Sequence, residues 1–348
     1  MQQLPEGYEK LTLIEANHRS HVFRGRKNGE PVILKTVSQD NPSARAIERL
    51  QHEKEMLQLV ASCAQVPHVV ASTTVERRPF LTMTDLGANT LRSIIESESL
   101  SLTRALDVLI ALAEAVGAVH RCGVVHKDLV PNNIIIRPEL LAAAGDLAQT
   151  ENTGEHRVGA PVGIIDFATA TQLSRQYASV APPSRLEGTL THMAPEQTGR
   201  MGIGVDYRSD LYAVGVIAYQ LFTGRLPFSA SDPLGWCHCH LAEVAAPMRE
   251  HRPELPDAVD AIVGKLMAKL PEERYQSAAG LVHDLRAVRT ALMRDESLAD
   301  FAVGQRDRAV DFRVPQRIYG RRDEIAALVR AYEDMADSGL ARVVLVGG

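Results

Sequence analysis

The run His126-Lys127-Asp128-Leu129-Val130-Pro131-Asn132-Asn133, with Ile165-Asp166-Phe167 downstream, holds an aspartate, an asparagine five residues later and a second aspartate behind an apolar strand. That set suits phosphoryl transfer from ATP. Asp128 would orient the attacking hydroxyl and accept its proton, while Asn133 and Asp166 would hold the magnesium ions that neutralise the phosphates. One amide oxygen and one carboxylate are enough protein for Mg2+, because phosphates and waters fill the rest of its octahedron. His126 is expected to be a structural core histidine, since Asp128 already fills the base role. Lys127 either pairs with a phosphate on a downstream loop or stays solvated. So short a pattern also arises by chance, and its weight comes from further residues in the right order.

Lys35 ends the apolar strand Val32-Ile33-Leu34-Lys35, where it could reach the α- and β-phosphates of a nucleotide beneath a sheet. Its expected partner is Glu53, three residues after Leu50 and four before Leu57, on the apolar face of the next helix. A carboxylate facing inward needs a cation, because an unpaired buried charge is costly. The alternative for Glu53 is a surface pair with Arg49. Met83-Thr84-Asp85-Leu86-Gly87 leaves a strand and enters a helix, the place for a hinge. There the backbone groups of Thr84 and Leu86 could bond adenine, with Met83 behind the ring.

These residues need elements to hold them. Residues 11–14, 21–26 and 31–37 read as three strands, the last two joined by the hairpin signal Asn28-Gly29. Residues 43–62 carry Ile47, Leu50, Leu57 and Val60 at helical spacing. Strands follow at 69–74 and 80–84. From residue 91 the pattern turns helical, with helices at 105–121, ending at Gly123, and at 211–223, ending at Gly224, then at 255–269 and 277–293. Residues 134–136 and 162–165 read as two strands of a hairpin, with the polar stretch 139–158 as its surface excursion. A strand-rich lobe (about 1–86) followed by a larger helical lobe (about 87–294) is an α+β pattern.

Of the 348 residues, 45% are hydrophobic and 23% charged, ordinary globular material. A net charge of −5 gives no electrostatic case for nucleic acid or an anionic membrane. Four cysteines are too sparse for a disulfide framework and fit a reducing cytoplasm. No apolar run is long enough to span a bilayer, and residues 105–120 and 211–222 read as buried helices. Cys237-His238-Cys239-His240 invites a zinc reading, but four consecutive residues cannot close one tetrahedron, and a helix near the surface is expected instead.

Residues 295–317 alternate charged and small side chains and read as a linker. Beyond it a helix is expected at 323–336 and a buried-type strand at 342–346, running into Gly347-Gly348. A strand running into glycines is how a phosphate-binding P-loop begins, so residues 318–348 read as the truncated start of an ATPase domain. A terminal amphipathic tail packing on the rest of the chain is the alternative.

The order Lys35, Glu53, Asp128, Asn133, Asp166, Ala194-Pro195-Glu196, Asp210, Arg274 resembles the eukaryotic-type serine/threonine protein kinases over about residues 8–290. The resemblance implies a bilobal fold, ATP and Mg2+ as cofactors, and a protein substrate bearing Ser or Thr. It also implies that Gly188-Thr189-Leu190-Thr191-His192-Met193-Ala194-Pro195-Glu196 ends an activation segment, with Arg274 as the cation for Glu196. Asp210 would then accept N–H bonds from the catalytic loop, unless it is simply a helix N-cap. More narrowly, HKDLVPNN, EGTLTHMAPEQTGRM, DYRSDLYAVGVIAYQLFTGRLPF and RIYGRRDEI resemble very long sensor proteins that join such a domain to an AAA-type ATPase, a GAF domain and a histidine kinase.

Three positions depart from that family's pattern. The phosphate-covering loop, Glu15-Ala16-Asn17-His18-Arg19-Ser20-His21-Val22, has no glycine, so contact would be looser or run through Arg19 and Ser20. Val22, which closes the loop, is a candidate cofactor-contacting residue. Ala168 stands where Asp-Phe-Gly has its glycine, which would penalise a positive φ, and Val130 replaces a lysine. Lys35, Glu53, Asp128, Asn133 and Asp166 favour an active kinase, and the departures favour a nucleotide-binding or scaffolding pseudokinase. A small-molecule kinase is disfavoured by Ala194-Pro195-Glu196.

Overall fold

Five antiparallel strands form the sheet of the N-terminal lobe: β1 (Tyr8–Ala16), β2 (Ser20–Lys27), β3 (Glu30–Val37), β4 (Val69–Val75) and β5 (Arg78–Thr84), in the order β1-β2-β3-β5-β4. This is a computed structural model. It describes residues 4–38, 42–97, 100–141, 160–173 and 189–308, with the isolated positions 330 and 335. The chain divides into a unit ending at Arg308 and a second running from Ala309 to Gly348, and all elements named here belong to the first. Most of the 139–158 excursion, the second half of the expected linker and the expected P-loop end lie outside the described residues.

Alternation along β3 sends Leu34 to an outer cluster with Phe23 and Phe80, while Ile33 packs against the main core. Lys35 shares the face of Ile33, by the two-residue period of a strand. The turn between β2 and β3 has φ of 54° at Asn28 and 81° at Gly29, the left-handed pair that matches the twist of a two-residue hairpin. Helix α1 (Ala44–Leu59) starts where the Ser43 side chain accepts from Ala46 N–H, and it buries Leu50, Glu53, Met56 and Leu57.

The second lobe is helical, as the sequence implies: α2 (Leu91–Ser97), α3 (Leu102–Arg121), the short α4 (Pro138–Leu141), α5 (Tyr207–Thr223), α6 (Pro233–Ala242), α7 (Asp257–Leu266) and α8 (Ala278–Met293). Between them lie two small ladders, β6 (Val124–Val125) with β9 (Thr171–Gln172) and β7 (Ile134–Ile136) with β8 (Val162–Ile164). Helix α3 is buried on nearly every face, which is why its sequence is so apolar. Four of these helices begin at polar caps, with Ser101, Asp206, Asp232 and Ser277 each accepting from a first-turn N–H. Asp206 thus caps α5 and leaves Asp210, one turn in, for other partners.

Residues 295–308, expected to open a linker, instead lie against this lobe. Leu298, Phe301 and Val303 pack on its core. Asp307 accepts from Gln276 N–H at 2.6 Å and from Ser277 Oγ at 3.1 Å. Three apolar anchors among charged and small residues are too few to show as a periodic pattern.

The residues Cys237 to His240 lie on α6, a helix as expected. Cys237, Cys239 and His240 are buried, and His238 is exposed. His240 bridges Tyr212 Oη (2.9 Å) and the Leu190 carbonyl (2.9 Å), so it ties α6 to α5 and to the loop before Ala194. That loop is fixed again by Glu196 and Arg274, which form a two-pronged ion pair at 2.7 and 2.8 Å with almost no exposure. The other Arg274 donors go to the carbonyls of Ala268, Lys269 and Arg208.

Removing one partner of such a pair strands a buried charge. Arg274→Met should therefore cost about 3–5 kcal/mol of stability in urea titration. The double variant with Glu196→Met should lose less than the sum of the single losses. Burial also pushes His192 and His240 down, to about 3 and about 4 from 6.5. Both are neutral when folded and take up protons when unfolded, so they contribute stability above pH 6.5 that is lost as pH falls toward 4. The urea midpoint should drop over that window, with a shallower slope in His192→Phe.

Candidate active site

Lys35, Glu53 and Asp166 meet from three elements. Lys35 comes from β3, opposite Val22 and Leu81 in the ladder, and Glu53 from the buried face of α1. Asp166 comes from the turn after β8. Lys35 Nζ lies 2.8 Å from Glu53 Oε2 and 2.8 Å from Asp166 Oδ1. Burial works against the ammonium charge, but the Asp166 and Glu53 carboxylates outweigh it and the Lys35 pKa is raised. The ammonium holds Asp166 below the usual carboxylate range, against desolvation. Glu53 is pushed up by its deeper burial, against the pull of Lys35.

Asp166 adopts a left-handed conformation (φ 65°, ψ 73°), a region aspartate tolerates better than most residues. The 3₁₀ turn Phe167–Thr169 follows it, and Ala168 does not have a positive φ. The expected penalty at Ala168 is therefore not present in this conformation, because the sharp backbone reversal sits two residues earlier. His126 is buried, packs edge-on against Phe167 at 4.8 Å and has Nε2 3.1 Å from the Ile165 carbonyl. It is a structural residue, as its sequence context suggests.

The loop carrying Asp128 hangs from Asp210. Asp210 Oδ2 accepts from His126 N–H (2.9 Å) and Oδ1 from Lys127 N–H (2.8 Å), while His120 Nε2 lies 2.8 Å from Oδ2. Lys127 sits at φ 66°, and Gln197 Nε2 donates to its carbonyl at 2.8 Å. Asp128 Oδ1 accepts from Thr189 N–H at 2.8 Å, which orients the carboxylate. Asn133 Nδ2 donates to the Asp128 carbonyl at 3.0 Å, so the carboxamide is turned with Oδ1 as the oxygen that can meet a cation.

A cleft of about 800 Å³ is lined by Asn17, Arg19, Lys35, Glu53, Asp128 and Asp166, among others. Asn133, Val22, Thr84 and Leu86 are outside that lining. The Thr84 N–H donates to the His68 carbonyl at 2.9 Å, so Thr84 can offer a ligand its carbonyl and not its amide. Leu86 rests on Gly163 of β8, where a Cβ would come within 2.7 Å of Leu86 Cδ1.

Two features here escape sequence reasoning. Arg24 of β2 pairs with Asp85 at 2.7 Å and donates to the Gly87 carbonyl at 2.6 Å, so it clamps the hinge segment to the sheet. An arginine in an alternating strand reads only as a solvent face. The other is Asn17, whose Oδ1 accepts from the N–H groups of Arg19 (2.8 Å) and Ser20 (2.9 Å). Ser38 Oγ donates to the His18 carbonyl at 2.8 Å and pins the loop from outside. The signal was present, since asparagine favours such turns.

Residues 8–285 match the protein kinase domain family. Relatives include a probable serine/threonine-protein kinase PknB of Bifidobacterium longum, 31% identical over 60% of this chain and 27% of that protein. A probable serine/threonine-protein kinase of Corynebacterium efficiens is 32% identical over 69% of this chain and 34% of that protein. The serine/threonine-protein kinase PknB of Mycobacterium tuberculosis is 31% identical over 60% and 30%. The chain thus spans about a third or less of the length of these curated relatives. With four fifths of its residues inside the matched region and the fold expected for it, the chain belongs to the protein kinase domain family.

Proposed function

We propose that this chain transfers the γ-phosphate of ATP, with Mg2+, to a serine or threonine hydroxyl of a protein. The observation that carries this is the Lys35 bridge between Glu53 and Asp166, in the same cleft as Asp128. Lys35 would hold the α- and β-phosphates, and Glu53 keeps its ammonium aimed. Asp128 would position the hydroxyl and take its proton. The donors suit magnesium: Asp166 is held ionised and Asn133 presents an amide oxygen. When bound, the ion supplies charge neutralisation at the phosphates. The hinge segment with Thr84 and Leu86, together with Val22, would hold the adenine.

Several finer readings belong to the same proposal. The narrower motifs support membership of a multidomain sensor, with an ATPase and sensor domains as partners in the same chain. The rest of the expected linker, residues 309–317, would join the kinase part to an ATPase part starting near 318. Free cysteines and ATP chemistry support a cytoplasmic location. Among the described residues no helix is long and apolar enough to cross a membrane.

The second reading is a nucleotide-binding relay module. It is favoured by Asn17, which occupies the Arg19 and Ser20 amides of the loop expected to cover the phosphates.

Transfer from radiolabelled ATP to a generic protein substrate separates the two. Under the kinase reading, Asp128→Ala should lower transfer by orders of magnitude and leave ATP binding. Wild-type transfer no higher than that of Asp128→Ala, with ATP still bound, would leave only the relay reading. ATP with Mg2+ should raise the Tm, and Asp166→Asn should remove most of the magnesium-dependent part. Lys35→Met and Glu53→Gln should each weaken ATP binding, and together by less than the sum. Asn17→Gly should free the Arg19 and Ser20 amides and tighten ATP about two- to tenfold by calorimetry, since each neutral hydrogen bond contributes about 0.5–1.5 kcal/mol.

A further inference from the structure

Cys63 and Cys122 lie on different elements, 59 residues apart in sequence, with their sulfurs 3.4 Å from each other. Cys63 sits in the loop after α1, with its N–H bonded to the Val60 carbonyl at 2.9 Å. Cys122 ends α3, its N–H bonded to the Val119 carbonyl at 3.0 Å. The Cys63 thiol is buried and donates to the Ala118 carbonyl at 3.3 Å, which leaves its sulfur lone pairs for Cys122. Cys122 is partly exposed, and the Ser62 hydroxyl lies 3.6 Å from its sulfur. The backbone on both sides is functional ground. Gln65, close after Cys63, accepts from Ile164 N–H of β8 at 2.8 Å, and β8 leads to Asp166. Cys122 opens directly into Gly123, β6 and the Asp128 loop.

We infer that Cys63 and Cys122 form a peroxide-sensitive dithiol that closes to an intramolecular disulfide, tying the loop behind α1 to the segment that enters the Asp128 loop. Cys122, the accessible sulfur, attacks the O–O bond of hydrogen peroxide. It becomes a sulfenic acid, and its proton leaves with the departing oxygen as water. Cys63 then attacks the Cys122 sulfur. The S–S bond forms, the S–O bond breaks, and the hydroxide leaves with the Cys63 proton as a second water. Two thiols lose two electrons, and one peroxide is reduced to two waters. Burial raises the Cys63 thiol to about 11, so it does not compete with Cys122 for peroxide, and its place 3.4 Å from the Cys122 sulfur gives it the resolving role. Cys237 and Cys239 are both buried on one helix two residues apart, a spacing that points their side chains to different sides.

The test uses the full chain, reduced and then exposed to hydrogen peroxide. The thiol count should fall from four to two. A tryptic digest without reductant should yield residues 55–77 linked to 122–127, and dithiothreitol should separate them. Closing a loop of this length restricts the unfolded chain, so the oxidised protein should melt about 5 °C higher, reversibly. Cys122→Ser should lose both the link and the shift. The proposal is overturned if Cys122 is driven to sulfinic acid while Cys63 stays free. Linkage through Cys237 or Cys239 would also overturn it, as would the 55–77/122–127 link forming with an unchanged or lower Tm. The wild-type digest decides the matter even if a cysteine variant fails to fold.

Discussion

One ammonium group sets the geometry of the cleft. Lys35, on the sheet, meets carboxylates from both α1 and the turn after β8, and each contact fixes something different. Through Glu53 it sets how far α1 lies from β3. Through Asp166 it sets the direction of a carboxylate whose backbone is already bent into the left-handed region. Such backbone strain costs about 1–3 kcal/mol and persists only where surrounding contacts over-determine it. The charges also explain each other. Burial pushes Glu53 up against the pull of the lysine, and the lysine lying against Asp166 holds that carboxylate below the usual range.

The opposite side of the cleft is built by a second logic, in which carboxylates hold backbone instead of cations. Asp210 receives two successive N–H groups of the Asp128 loop from the first turn of a buried helix. Glu196 fixes the segment that returns to the helical lobe by side chains instead, accepting from the Arg274 guanidinium and the Ser209 hydroxyl. A loop whose amides end on a core helix cannot drift without exposing a buried charge, and such exposure is costly. Asp128 therefore inherits its position from α5, and its own hydrogen bond to Thr189 only trims the orientation.

What was legible in the sequence follows from these physical differences. Strands with a two-residue period, helices with serine or aspartate caps and the Asn28-Gly29 turn all encode their conformation locally, and the two-lobed α+β architecture follows from their order. Glu53 was readable because a carboxylate on an apolar helix face has few alternatives. The clamp of Arg24 on Asp85 was not, because a strand arginine looks the same whether it meets water or a carboxylate 61 residues away. The packing of residues 295–308 was hidden for a related reason: scattered anchors such as Leu298, Phe301 and Val303 have no period to detect.

The glycine-free loop and Ala168 look like two losses of the same kind, yet the structure separates them. At Ala168 the backbone makes no left-handed demand, while Asp166 has the positive φ, so an alanine there is compatible with this conformation. In the loop the demand has been met by a side chain. The Asn17 carboxamide satisfies two amides that a flexible glycine loop would leave open to an anion. A preformed turn lowers the cost of ordering the loop over a ligand, but it removes donors that could contact phosphate. Arg19 lines the same cleft. Its guanidinium carries a full charge and needs no special backbone, so a loop of this kind exchanges close approach for longer reach.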